Sequence, residues 1–294
     1  MAKILISGGT GLVGTQLTKL LLEKEHSVNI LTRTPDASNE YKWDISKQTI
    51  DIDAFKGVDY IIHLAGAGIA DERWSEKRKK VIIDSRVDSA NLLFGKVKEL
   101  NLPLKGFISA SGSGYYGAIT SDKIFEENDP AGNDFLGEVC EKWEAAALQF
   151  ESINIPVSIL RTGIVLSRTG GALEKMKTPV IAALGSGKQY LPWIHLDDLC
   201  HMYIHQIEKN VNGVFNAVAP DHHTSTTFSK KLAKSVSRTY VGINVPSFML
   251  KLAFGDMSKI LLEGSRIASD KIRKRKFSFQ FPELAEALNN LFKK

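Results

Sequence analysis

Cysteine is almost missing from this chain: Cys140 and Cys200 are the only two in 294 residues. Two cysteines cannot build a disulfide framework, and their scarcity fits a reducing, cytoplasmic setting. No apolar run of about 18 residues occurs, so no membrane span is expected. The N-terminus lacks a basic lead, a long apolar core and a small-residue cleavage site, so no signal peptide is expected either. Metal-ligand spacing is absent too: His222-His223 has no further ligands around it and reads as a polar loop. Neither repeats nor low-complexity tracts interrupt the chain. The net charge is +5, and much of the excess sits in "SDKIRKRKF", Ser269–Phe277. No aromatic-and-basic platform accompanies that run, which therefore reads as a solvated helix end and not as a nucleic-acid site. A homodimer stays open.

What is present is an ordinary globular composition, 43% hydrophobic and 24% charged. In the first half, short apolar runs alternate with amphipathic stretches. "KILIS", "SVNILTR", "VDYIIHLAG", "LKGFISAS" and "PVSILRTG" predict strands. The stretches after Gly14, from Ser75 to about Lys98 and near Gly137–Glu151 predict helices. That rhythm predicts an α/β fold: βαβ units wound into a Rossmann-type, doubly wound parallel sheet. Beyond Gly163 the rhythm loosens. "PWIHLDDL" predicts a strand and a helix with an acidic first turn, "GVFNAVAP" a further strand, and the chain past Asp221 a mostly helical lobe ending in a helix opened by Pro282. The expected division is 1–220 and 221–294, with the chain crossing into the second lobe around 166–190.

"KILISGGTGLVG" carries the chemistry. It holds Gly9-x-Gly11-x-x-Gly14 directly after a predicted strand and at the opening of a predicted helix. Glycine permits a tight turn and lets a pyrophosphate approach backbone N–H groups at the helix N-terminus. The stretch Gly8, Gly9, Thr10, Gly11, Leu12, Val13 and Gly14 is thus a predicted dinucleotide site. An NAD site normally ends its second strand on a carboxylate for the ribose hydroxyls. Here that place reads Thr32-Arg33-Thr34. An arginine fork suits a 2′-phosphate, which makes NADP the expected cofactor.

"GGTGLVG", "HLAGAG", "SASGSGYYG" and "WIHLDDL" follow one another as in the extended short-chain dehydrogenase/reductases, which this chain resembles over roughly its first 220 residues. It is similar in particular to the atypical epimerase-family proteins. Their C-terminal domain, DUF1731, is matched by "VPSFMLKLAFGDMSKILLEGSR" and "FSFQFPELAEAL". The resemblance implies a small-molecule substrate and several roles. Asp44 matches the adenine contact, and Leu64, Ala65 and Gly66 the strand end along the cofactor. Thr162, Gly163 and Val165 match the segment beside the nicotinamide. Ser111 matches the catalytic serine, with Ser113 as a rival register.

One departure matters more. Extended members carry Tyr-x-x-x-Lys, and anchoring "FLGEVCEKWEAAA" on Glu144 puts Leu136 and Cys140 in those places. Leucine has no proton to give, and cysteine carries no fixed positive charge. Lys142 lies about 200° around the helix from Cys140 and faces elsewhere. Replacement donors are Tyr115 and Tyr116, or less simply the Cys140 thiol. His195 with Asp197, two residues apart at a strand-to-helix junction, reads as a cap and not as a dyad. "GKQYLPWIH" predicts an aromatic, apolar substrate wall through Tyr190, Leu191 and Trp193. Two readings follow: an oxidoreductase or epimerase acting by hydride transfer, or a protein that senses NADP(H) without turnover.

Overall fold

A computed structural model describes residues 1–293. Its centre is an eight-stranded sheet. The strands are β1 (Lys3–Ser7), β2 (Ser27–Thr32), β3 (Glu40–Asp44), β4 (Thr49–Ile50), β5 (Tyr60–His63), β6 (Gly106–Gly112), β7 (Val157–Thr162) and β8 (Gly213–Ala217). Their order is β8-β7-β6-β5-β1-β2-β3-β4. Every pairing is parallel except the β3–β4 hairpin. The chain winds outward from β1 to β4, then returns to β1's other side and winds the opposite way. That reversal opens a crevice at the C-terminal ends of β1 and β5, where ligands bind in such sheets.

Strand periodicity makes two cores. Ile4, Ile6, Ile62, Ile108 and Leu160 face helices α1 (Leu12–Glu23) and α4 (Leu196–Lys209). The intervening Leu5, Ile61, Phe107 and Ile159 face α2 (Glu76–Glu99) and α3 (Phe135–Leu148). Alternation with burial on both faces is what a helix-covered parallel sheet requires. Ser75 caps α2 by accepting from Arg78 N at 3.1 Å, and Asp134 caps α3 by accepting from Leu136 N and Gly137 N.

The second lobe draws on two stretches of chain. Strand Ile164–Leu166 pairs with Trp193–His195, and Val180–Leu184 pairs with Thr239–Val245. Beyond Asp221 the chain is mostly helical as expected, with a strand that the sequence reading lacked: "TYVGINV" is rich in β-branched residues and finds an edge to pair with. The last helix spans Leu284–Phe292 instead of opening at Pro282. Its first N–H, that of Leu284, donates to Asp221 Oδ2 at 2.9 Å, a cap supplied from more than sixty residues upstream in the sequence. The acidic turn of α4 also does more than favour a helix dipole. Asp198 is fully buried and accepts from Gln280 N at 2.6 Å and Phe281 N at 3.0 Å, tying the C-terminal chain back onto the sheet domain. Burial raises its pKa against the pull of those two bonds. Among the described residues no helix is long and apolar enough to cross a membrane.

Candidate cofactor and active site

The glycines of the first turn divide by what surrounds them. A β carbon at Gly14 would lie 2.3 Å from Gly8 O and 2.6 Å from Gly9 Cα, and one at Gly9 would lie 2.7 Å from Ile30 Cγ2. Gly8 has φ +76° and backs onto Leu64 and Ala65. These three serve the fold. Gly11 differs: its backbone is ordinary extended chain at φ −82°, and a β carbon there meets only Gly8 O at 3.3 Å. Gly11 and Thr10 are exposed, and no side chain caps α1. The fold presses on a side chain at 11 far less than at 8, 9 or 14, whereas a ligand approaching the uncapped N–H groups would need the glycine.

Around that turn the predicted cofactor residues lie at the C-terminal ends of β2, β3, β5 and β7. Thr32 ends β2 buried, and its Oγ1 accepts from Thr34 N at 3.4 Å. Arg33 is exposed, with no ion pair or side-chain hydrogen bond among the described residues. Asp44 ends β3, where its Oδ1 accepts from Ser46 Oγ at 2.6 Å and Lys47 N at 3.2 Å. Those bonds shape the hairpin turn and lower its pKa. Leu64, Ala65 and Gly66 continue β5 past the crevice, Gly66 exposed. Val13 and Val165 both pack against the core shared with α4. Gly163 is confined, since its β carbon would lie 2.6 Å from Pro192 O, and Thr162 beside it is half-buried.

The hydroxyls do not share one environment. Ser111 is buried and donates to Glu144 Oε1 at 2.7 Å. Glu144 receives both Nε and Nη2 of Arg161 at 2.8 Å, a buried bidentate pair. Arg161 Nη1 also donates to the Tyr116 hydroxyl at 3.1 Å, and that hydroxyl donates to Asn216 Oδ1 at 2.6 Å. Burial opposes the Arg161 charge, but the Glu144 carboxylate outweighs it and holds the guanidinium pKa above its ordinary value. Tyr116 is 1% exposed, and burial pushes its phenol up to about 12. The Ser111 and Tyr116 protons are thus committed within a closed network. On the same short turn of 3₁₀-helix, Ser113–Tyr116, the Ser113 and Tyr115 side chains are half-buried. Neither hydroxyl makes a hydrogen bond among the described residues. The Tyr115 ring covers the Arg161 guanidinium, with Cζ 3.3 Å from the ring centroid.

Leu136 closes against this turn: a β carbon on Gly114 would sit 3.3 Å from Leu136 Cβ. It belongs to an apolar cluster with Trp74, Ile82, Val139 and Met257 that joins the sheet domain to the C-terminal lobe. Arg73 reinforces the junction by donating to Ala253 O at 2.8 Å and Leu252 O at 2.7 Å. Cys140 is buried beside Gly112, and burial pushes its thiol up to about 11. A buried thiol that stays protonated is a poor nucleophile, and the Cys140 Sγ proton is directed at Gly112 O, 3.6 Å away. Trp193 is also corrected: it lies 1% exposed in the core of the second lobe and lines no substrate wall. His195 caps α4, its Nδ1 accepting from Asp197 N at 3.1 Å. His223 bonds Asp221 Oδ2 at 2.7 Å, and the described residues hold no group of three or more metal-ligating side chains.

Residues 4–153 match the model of the NAD dependent epimerase/dehydratase family, and residues 245–291 match DUF1731, a domain of unknown function. An epimerase family protein of Staphylococcus saprophyticus is 35% identical, the alignment covering 99% of both chains. The mouse epimerase family protein SDR39U1 is 34% identical over 98% of this chain and 99% of its own. This chain belongs to the NAD dependent epimerase/dehydratase family. Among solved structures, human SDR39U1 (isoform 2), crystallised with NADPH, aligns with TM-score 0.87 at 31% identity, covering 98% of each chain. UDP-N-acetylglucosamine 4-epimerase from Bacillus cereus aligns with TM-score 0.80 at 17% identity over 99% of this chain and 98% of its own, a likeness of fold.

Within this epimerase-family chain, sequence reasoning missed Arg161, Asn216 and Glu127, whose backbone O accepts from Arg161 Nη1 at 3.1 Å and whose Oε1 accepts from Asn216 N at 2.9 Å. One signal was available: an arginine inside the apolar run "PVSILRTG" needs a buried partner, and Glu144 was already singled out. His63, buried at the end of β5, was passed over as well. Its Nδ1 meets Ser7 Oγ at 2.7 Å and its Nε2 meets Ser89 Oγ at 3.2 Å. Burial pushes the imidazole down to about 4, against the pull of the Arg86 carbonyl. The unfolded chain takes up this proton near pH 6.5 and the folded chain does not. The His63 contribution is therefore complete above about pH 6.5 and is lost as pH falls toward 4, by about 3 kcal/mol in all. Urea unfolding at pH 7 and pH 5 should show a larger loss for wild type than for His63→Gln. Equal losses would contradict this assignment.

Proposed function

We propose that this epimerase-family protein binds NADP(H) and moves hydride to or from a small molecule bearing a carbonyl or carbinol. Gly11 carries the reading: it is an exposed glycine, the least confined of the turn, at an uncapped helix N-terminus. The NADPH in the human SDR39U1 crystal structure supports the same choice of ligand. When bound, the nicotinamide supplies the hydride chemistry. The chain's part is to hold and orient. Gly8 to Gly14 take the pyrophosphate, Thr32 and Arg33 the 2′-phosphate side, and Asp44 the adenine. Leu64 to Gly66 run along the cofactor, and Thr162 to Val165 lie beside the nicotinamide. Tyr115 donates the proton, with Ser113 beside it. Ser111 and Tyr116 hold the turn in place through the network of Glu144, Arg161 and Asn216.

The commitment of Ser111 and Tyr116 to that network, with Leu136 at the usual tyrosine place, favours a second reading, NADP(H) binding without turnover. A panel of aldehydes and ketones, followed by loss of NADPH absorbance, separates the two. Under the first reading at least one compound is reduced, and Tyr115→Phe lowers kcat by about 100-fold or more. NADPH affinity should stay within about 1 kcal/mol of wild type, since such a donor acts in the transition state. Turnover unchanged in Tyr115→Phe would remove Tyr115 from its role. Tight NADPH binding with no consumption across the panel would favour the second reading.

A further inference from the structure

Arg86, on α2, is a buried cation without a counter-ion. It is 8% exposed, and no carboxylate reaches it among the described residues. Its Nη1 donates to Ala67 O at 3.0 Å and Ile82 O at 2.8 Å, while its buried Nε has no partner. Nη2 makes no hydrogen bond among the described residues either. The guanidinium lies 4.8 Å from the centroid of the Trp143 ring. A β carbon on Gly66 would approach Cζ to 3.0 Å, so the charge sits directly behind the exposed strand end that borders the crevice. The contrast with Arg161, paired through two hydrogen bonds to Glu144, is plain.

Leaving a buried charge uncompensated is costly, and two carbonyls and one ring face offset that cost only in part. Burial holds the Arg86 pKa below its ordinary value.

We propose that Arg86 supplies a fixed positive charge to the crevice behind the strand end that runs along the cofactor, and biases the protein toward NADPH over NADP+. This rests on the NADP(H) reading above. The oxidised nicotinamide ring is positively charged and the reduced ring is neutral. An unpaired cation behind Gly66 repels the first and leaves the second alone.

Titration calorimetry of NADPH and NADP+ into wild type, Arg86→Lys and Arg86→Met tests it. Wild type should bind NADPH at least about tenfold more tightly than NADP+. Arg86→Lys should keep that ratio, and Arg86→Met should shrink it, chiefly by strengthening NADP+ binding. A role confined to packing would weaken both ligands alike and leave the ratio unmoved. An unchanged ratio in Arg86→Met overturns the proposal. If Arg86→Met does not fold, wild type decides: a ratio near one overturns the proposal, and a tenfold preference kept in Arg86→Lys supports it. Wild type that binds neither form overturns the cofactor reading itself, a result distinct from binding both equally.

Discussion

Arg161→Met should destabilise the protein by about 3–5 kcal/mol, read as a fall in urea midpoint at constant slope. The substitution leaves Glu144, 5% exposed, as a charge with only the Ser111 hydroxyl to solvate it. It also strips the Tyr116 hydroxyl of a donor and Tyr115 of the cation beneath its ring. Glu144→Leu should cost a similar amount for the mirror-image reason. The double variant should cost much less than the sum, because replacing both members removes the orphaned charge. A loss below about 1 kcal/mol in Arg161→Met would show that the pair is screened by solvent and that the network is not closed.

That network explains why the fold was more legible than the site. Strand and helix placement follows from local pattern: Ile4, Leu5 and Ile6 alternate between two cores, and leucines at helical spacing place α1. The glycine turn was legible because one short stretch holds the strand end, the turn and the helix start. Nothing local in "SASGSGYYG" says which hydroxyl stays available. That depends on Glu144, Arg161 and Asn216, which arrive from three other elements. The same limit hid Asp198, whose partners lie more than eighty residues downstream. It also made Trp193 look like a pocket residue when it belongs to a core. "TYVGINV" was missed because its partner strand, Val180–Leu184, is weakly marked. Side-chain roles set by distant partners cannot be read from spacing alone.

The central claim is a dinucleotide held by the first glycine turn with its 2′-phosphate toward Arg33. Gly11→Val probes it most sharply. Within the protein the valine β carbon would press only on Gly8 O, at 3.3 Å, and at a backbone conformation valine readily adopts. Gly14→Ala is the converse, since its β carbon would collide with Gly8 O and Gly9 Cα. The deciding measurement is a calorimetric titration of NADPH and NADH into wild type and Gly11→Val, with a thermal melt of each protein and of Gly14→Ala. Wild type should bind NADPH more tightly than NADH, by about 1–3 kcal/mol for a charge-assisted contact. Gly11→Val should melt cooperatively near the wild-type temperature yet lose NADPH binding by about 100-fold or more, on the order of 3 kcal/mol. Gly14→Ala should melt markedly lower. Equal affinity of wild type for the two cofactors, or NADPH bound by Gly11→Val as by wild type, would contradict the account.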